Sequence, residues 1–219
     1  MPNEFGETYD GTIYRAVGNW LGERYFEYGF ARGTAQEVGF LAELLGLSAR
    51  SRVLDVGWAI ADEGLPGEFH VLDARFMEFE STADQAAICL CEGAFGLGLA
   101  GSDAAHQQIL DNVFRALRSG GHFVLSAIQT SNAVRDPAVA EALDAYTGTM
   151  WEDEVIVDLE GQERQVAIYT TTFSFRELKL LLERSGFEVI AGYGCNVGNF
   201  ARKPLTVDDI EIMMVARKP

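Results

Sequence analysis

The sequence predicts an α/β protein: one mostly parallel sheet with helices on both faces. Two observations carry this prediction. Short apolar, β-branched runs alternate with longer stretches of helical periodicity, the pattern of strands joined by crossover helices. Several of the helical stretches also open on a capping signal or close on glycine, as in "SFRELKLLLERSGF" and "ILDNVFRALRSGG". No internal repeat or low-complexity linker divides the 219 residues, so a single domain over 1–219 is expected.

Taken in order, residues 9–32 carry aromatic and apolar side chains at roughly helical spacing (Tyr14, Val17, Leu21, Tyr25, Tyr28), which suits a helix packing on the core. "TAQEVGFLAELLGL" follows, with Thr34 three residues before Glu37 as a capping box and Gly46 near its end. Residues 1–48 are thus expected to form an N-terminal helical cap. "RVLDVG" is the first strand, apolar enough for a buried parallel sheet, and "EFHVLDAR" reads as another strand soon after. "AAICLC" suits a central strand. The next helix sets Ile109, Leu110, Val113, Phe114 and Leu117 on one face, and "HFVLSAI" is a further buried strand. Between that strand and the "SFRELKLLLERSGF" helix, "MWEDEVIVDLEGQERQVAIYTTTF" (150–173) reads as two strands turning at "EGQ". Such a ribbon is expected to lie over the carboxyl ends of the strands, where open α/β sheets bind ligands; a surface hairpin is the plainer reading. The helix itself has Ser174 and Glu177 as a capping box, Leu178, Leu181 and Leu182 on its inner face, and Gly186 as its stop. "FEVIAGYG" and "DIEIMMVARK" are the closing strands.

The totals narrow the function. A formal net charge of −16 argues against binding a nucleic-acid backbone or an anionic membrane surface, since both need a basic face. Three cysteines (Cys89, Cys91, Cys195) lack metal-site spacing, so neither a disulfide framework nor a zinc site is expected, and Cys89 and Cys91 read as reduced core thiols. The acidic start "MPNEFGETYDG" lacks the apolar core of a signal peptide, and no apolar run is long enough to span a bilayer. A cytoplasmic protein with a small-molecule or protein partner is the expectation. The oligomeric state is left open.

In order, "RVLDVG", "FHVLDAR", "DQAAICLCEGAFG", "ILDNVFRALRSGGHFVLSAI" and "FSFRELKLLLERSGFEVIAGYG…IEIMMVARKP" resemble successive segments of a class I S-adenosylmethionine-dependent methyltransferase. The resemblance runs from about Thr34 onward and rests on order more than on any one motif. It implies a Rossmann-like, seven-stranded type of sheet with a reversed last strand, S-adenosyl-L-methionine as cofactor, and methyl transfer to a small-molecule acceptor. It also implies a set of cofactor positions. Asp55 and Gly57 match the end of the first strand and the first glycine of the cofactor loop. Asp73 and Ala74 match the adenine side. Leu90 and Cys91, with Glu92, match the end of the fourth strand, beneath the reacting sulfonium.

The rest of that pattern is missing. Trp58 stands where a small residue belongs, no further glycines follow at the right spacing, and only ten residues separate Gly57 from Glu68. A strand–helix–strand unit takes about 30 residues or more, whereas Arg52 to Arg75 is 24 with both strands included. The second strand and its ribose-binding acid are absent from the sequence. Either the native polypeptide contains a segment that this chain lacks, or the deletion is genuine and the protein is a non-catalytic, methyltransferase-like binding module.

Methyl transfer needs chiefly an acceptor in line with the sulfonium carbon, and a base only where the acceptor must lose a proton. The candidates for that base are Glu92, otherwise an exposed loop acid, and His106, otherwise a surface residue at a helix start. Tyr14, Tyr28 and Phe95 are candidates for an aromatic substrate pocket, with core packing as the alternative, and Gln129 for a polar contact to the acceptor. His70 and His122 read as structural. Tyr193 and Arg202 lie in the glycine-broken loop "GYGCNVGNFARKP", either a cap on the cleft or a plain surface loop.

Overall fold

The structure is a computed structural model and describes residues 33–57, 70, 72–79, 85–91, 94–96, 102–157 and 160–219. Seven strands are described: β1 (Val53–Asp55), β2 (Ala86–Cys89), β3 (His122–Ile128), β4 (Thr149–Val157), β5 (Glu163–Thr171), β6 (Glu188–Cys195) and β7 (Glu211–Arg217). Five of them form one sheet in the order β1-β2-β3-β7-β6. β1, β2 and β3 are parallel, while β7 runs antiparallel to both β3 and β6. The reversed last strand expected from the sequence is therefore present, inserted between β3 and β6. β4 and β5 pair as the separate antiparallel ribbon, turning through Gly161 at φ +82°.

The helices are α1 (Thr34–Leu44), α2 (Asp103–Ala116), α3 (Thr130–Ala133), α4 (Pro137–Ala142) and α5 (Phe175–Arg184). Alternation along the strands divides the core in two. On one face Cys89, Phe123, Leu125, Ile212 and Met214 pack with Ile109, Leu110 and Val113 of α2 and Leu178 and Leu182 of α5. On the other, Val124, Met213 and Val215 pack with Leu41 and Leu45 of the α1 segment and with Phe200. α5 carries the expected capping box: Glu177 Oε2 accepts from the Ser174 N–H at 2.6 Å, and Ser174 Oγ accepts from the Glu177 N–H at 3.3 Å. Gly186 closes it at φ +99°, a conformation that costs a residue without Cβ little.

Three expectations are corrected. The capping box of α1 does not form: Gly33 is the N-cap, and Glu37 turns its carboxylate to the Gly198 N–H at 2.7 Å. The strand expected at "EFHVLDAR" is absent among the described residues. Ala74–Phe76 is instead a 3-10 turn, because the Asp73 carboxylate accepts from both the Arg75 N–H and the Arg75 guanidinium, and local side-chain bonding of this kind competes with strand pairing. β1 is not a fully buried strand. It is the outer strand of the described sheet, and Val53 is 38% exposed. The short helices α3 and α4 were not anticipated. Of the N-terminal cap, residues 1–32 lie outside the described residues.

Candidate functional site

The parallel strands end together on one edge, and several of the expected residues meet there. Asp55 closes β1 beside Ile88, and the next residue, Val56, donates its N–H to the Ile88 carbonyl at 2.8 Å. Gly57 follows, exposed. The Asp55 carboxyl is raised from its ordinary value by desolvation against the sheet, although its own surface is exposed and water there screens part of that effect.

Beyond β2, Leu90 is half-buried and packs on the α1 face. Cys91 adopts φ 49°, the one non-glycine residue at positive φ among the described residues. That conformation is disfavoured for a residue with a Cβ and concentrates where a site holds the backbone against its preference. The hold is visible: the Cys91 N–H donates to Ser126 Oγ of β3 at 2.9 Å. Ser126 is fully buried and lies beside Glu211, the first residue of β7.

Other expected residues have their polar groups engaged within the chain or are buried. The carbonyl of Ala74 accepts from Asn112 Nδ2 at 2.9 Å. The Asp73 carboxyl is also occupied, its pKa lowered chiefly by the hydrogen bond from the Arg75 side chain.

His106 is not a surface residue. It is fully buried, edge-on between Phe95 at 4.8 Å and Phe173 at 5.2 Å, and neither ring nitrogen has a hydrogen-bond partner of good geometry. Burial pushes its pKa down to about 4, against a weaker upward pull from the Ser102 carbonyl. A neutral ring sealed from solvent has no path to an acceptor's proton, so the base expected there is corrected to a core residue. Phe95, expected to line a substrate pocket, is equally sealed, stacked on Phe173 at 5.1 Å.

Gln129 sits at the edge, but its amide nitrogen donates to the carbonyls of Thr206 at 3.0 Å and Asp209 at 2.7 Å. It ties down the 206–209 loop, and its amide N–H groups are spent there rather than offered to an acceptor. Asp209 anchors the same loop: burial raises its pKa, but bonds from Lys203 and Thr206 outweigh that and hold it low. The loop bearing Arg202 docks on α1, with Gln36 pairing with both the N–H and the carbonyl of Phe200 at 2.9 and 2.8 Å. Arg202 ion-pairs with Glu43 at 3.4 Å, Tyr193 lies half-buried in β6, and His122 is half-buried in β3. Glu92, Tyr14, Tyr28 and Trp58 lie outside the described residues.

Toward the ribbon, the Thr171 N–H donates to the Gly96 carbonyl at 2.7 Å, tying the base of β5 to the loop after β2. Trp151 and Val155 farther out remain exposed. Sequence reasoning missed Ser126, Glu211 and Glu37, all buried. The signal available was a glutamate flanked by Ile210 and Ile212 inside an apolar strand. Among the described residues, no cluster of potential metal ligands occurs and no helix is long and apolar enough to cross a membrane.

A parallel set whose last strand in chain order is inserted antiparallel next to β3, with candidate ligand contacts on the carboxyl edge, has close counterparts among solved structures. The CcbJ methyltransferase from Streptomyces caelestis superposes with a TM-score of 0.65 at 14% identity, over 92% of this chain and 97% of that one. The chain has the fold of the class I S-adenosylmethionine-dependent methyltransferases. A 1,6-didemethyltoxoflavin-N1-methyltransferase from Burkholderia thailandensis, solved with its substrate and S-adenosylhomocysteine, matches at TM-score 0.52 and 15% identity over 95% and 88% of the two chains. CalS10, an amino pentose methyltransferase from Micromonospora echinaspora solved with S-adenosylmethionine, matches at 0.51 and 16% over 94% and 97%. No family model and no curated protein matches the chain. Within this methyltransferase fold, Asp55, Gly57 and Cys91 stand at the carboxyl ends of β1 and β2, and the carboxylate of Asp73, the third expected cofactor position, accepts from Arg75.

Proposed function

We propose that the protein transfers the methyl group of S-adenosyl-L-methionine to a small-molecule acceptor. The observation that carries this reading is the strained turn at Cys91, held by Ser126 on the same edge as Asp55 and Gly57. The residues suit the methionine side of the cofactor. Gly57 permits close backbone approach, and Asp55 offers a carboxylate near the α-amino group. Leu90 and Cys91 floor the reacting end. They do not suit the adenine side, where the Asp73 carboxyl is bonded to Arg75; that contact must be made by other groups. Bound there, the cofactor supplies an electrophilic methyl carbon, and the protein's task is to hold the acceptor in line with it and keep water away. Glu92, Tyr14 and Tyr28 remain candidates for acceptor contacts. The net charge of −16 goes with a small-molecule acceptor rather than nucleic acid, and a cytoplasmic location goes with three free thiols.

A second reading, a binding module without methyl transfer, draws on the outer position of β1 and the occupied Asp73. Calorimetric titration separates the two. S-Adenosylmethionine and S-adenosylhomocysteine are each expected to bind and to raise the melting temperature. No heat and no stabilisation at millimolar ligand would overturn the enzyme reading.

A further inference from the structure

The ribbon is rooted at the carboxyl edge of the sheet. The Phe173 N–H donates to the Ile128 carbonyl of β3 at 2.8 Å, and the Thr130 N–H donates to the Phe173 carbonyl at 3.0 Å. The Thr171 N–H reaches the Gly96 carbonyl, in the loop that Cys91 opens. Alternate residues of a strand lie on opposite faces, so Phe173, Thr171 and Tyr169 share one face of this chain segment and Thr172 lies on the other. Ring contacts identify the first face: Phe173 stacks on Phe95 of the same loop at 5.1 Å. The second turns to α3, where Thr130 Oγ1 donates to Thr172 Oγ1 at 2.9 Å. The face that carries Tyr169 is therefore the one turned toward the loop after β2.

Across the ribbon, Tyr169 pairs with Trp151 and Thr171 with Thr149. Because the Thr171 N–H points out of the ribbon to Gly96, these are non-hydrogen-bonded pairs, in which facing side chains approach most closely. The threonines show that closeness, their hydroxyls bonding at 3.0 Å. Phe173, Thr171 and Thr149 are all buried, so the face is closed at its root. At the next pair it opens. Tyr169 is half-buried and Trp151 is 41% exposed, whereas Met150 on the opposite face is only 7% exposed. The ribbon thus presents a tryptophan beside a tyrosine directly above a sealed aromatic stack. Two such side chains carry large, rigid apolar surface with a polar tip, the kind that suits a boundary between core and ligand.

Resting on the methyltransferase reading, we propose that Trp151 and Tyr169 form the wall against which the acceptor lies, and that the acceptor carries a flat aromatic ring. A planar ring meets such a wall stacked or edge-on, with a gain beyond the area it buries; a saturated ring, puckered and without a π-system, forgoes that gain. The wall stands on backbone and threonine hydrogen bonds to β3, α3 and the loop after β2. A wall so fixed holds a ring in one orientation, which is what in-line transfer requires. The aromatic pocket expected at Phe95 is accordingly set farther out: Phe95 belongs to the sealed base, and Trp151 and Tyr169 are its open end.

The test uses the full chain in saturating S-adenosylhomocysteine, with binding read by equilibrium dialysis. The probes are 2-naphthol and 4-phenylphenol, each beside its saturated counterpart, decahydro-2-naphthol and 4-cyclohexylcyclohexanol. The aromatic probes are expected to bind about fivefold more tightly or better, as one aromatic contact allows, although their counterparts are the more hydrophobic. Trp151→Leu should reduce that preference to about twofold or less, and Trp151→Phe should keep most of it. Tyr146→Ala is the control, since Tyr146 is fully exposed on the turn before β4 and should change nothing. No binding of any probe, or equal binding of aromatic and saturated forms, overturns the proposal. So does a preference that survives Trp151→Leu combined with Tyr169→Leu, or one that Tyr146→Ala abolishes equally. If the double variant does not fold, Trp151→Leu alone decides. Binding of S-adenosylhomocysteine without aromatic preference removes this inference and leaves the methyltransferase reading intact. An aromatic preference dependent on Trp151, without S-adenosylhomocysteine binding, keeps the wall as a ligand site and removes methyl transfer.

Discussion

Replacing His106 by phenylalanine separates a core residue from a base. Between the unfolded chain, where the imidazole titrates near 6.5, and the fold, where burial holds it at about 4, the folded state binds the proton less well. A depressed pKa contributes stability that is complete above the unfolded value and is lost as pH falls toward the folded one. At about 1.4 kcal/mol per pH unit, the loss between neutral pH and pH 4 amounts to about 3 kcal/mol. His106→Phe removes this titration. At neutral pH it relieves two unsatisfied buried nitrogens, worth about 1–3 kcal/mol. It also forces a larger ring between Phe95 and Phe173, at a cost of about 1–3 kcal/mol, so the net change there is expected to be about 1 kcal/mol or less in either direction. Urea denaturation of both proteins from pH 7.5 down to about 4 reads the difference, and the carboxyls with raised pKa values, Asp55 and Glu211, cancel in the subtraction. The variant should gain about 3 kcal/mol on the wild type across this range. A difference that stays flat with pH would mean that the ring is hydrated or hydrogen-bonded, and the sealed-slot description would be wrong.

Two further substitutions test the packing that frames the site. A Cβ at Gly33 would lie 2.2 Å from the Gly198 nitrogen and 2.5 Å from Glu37 Oε1; because the first of these is backbone, Gly33→Ala should cost about 2 kcal/mol, read as a lower urea midpoint, and a loss under about 0.5 kcal/mol would show that α1 slides freely on the 196–200 loop. Ser174→Ala removes half of the α5 capping box and should cost about 1 kcal/mol in the same assay, whereas an unchanged midpoint would mean that water caps the helix equally well.

The strands were legible where apolar runs are bounded by glycine or charge: β2, β3, β6 and β7 fall where the sequence puts them, and the ribbon does too. "VLDAR" misled because its letters are those of a strand, while Asp73 and Arg75, two residues apart, satisfy each other and turn the chain. The α1 capping box failed for a tertiary reason, since Glu37 finds a partner 161 residues away. His106 and Phe95 were read as site residues because of their place in the sequence next to a predicted edge. Both side chains turn inward, toward Phe173, and spacing alone does not disclose that contact. Glu211 was overlooked because an apolar run hides its one acid from a reading that averages over the run.

The strand that comes last in the chain is the one that closes the sheet. β7 fills the gap between β3 and β6, so neither neighbour has its full set of backbone partners until Glu211–Arg217 is in place. Its inner faces also supply Ile212, Met213, Met214 and Val215 to both halves of the core. During synthesis, β1 to β3 and their helix can assemble as they emerge, but β3 must wait with one edge open for a strand about ninety residues further on, a non-local pairing of the slow kind. Until it arrives, that edge is the part of the molecule most exposed to pairing with the wrong chain.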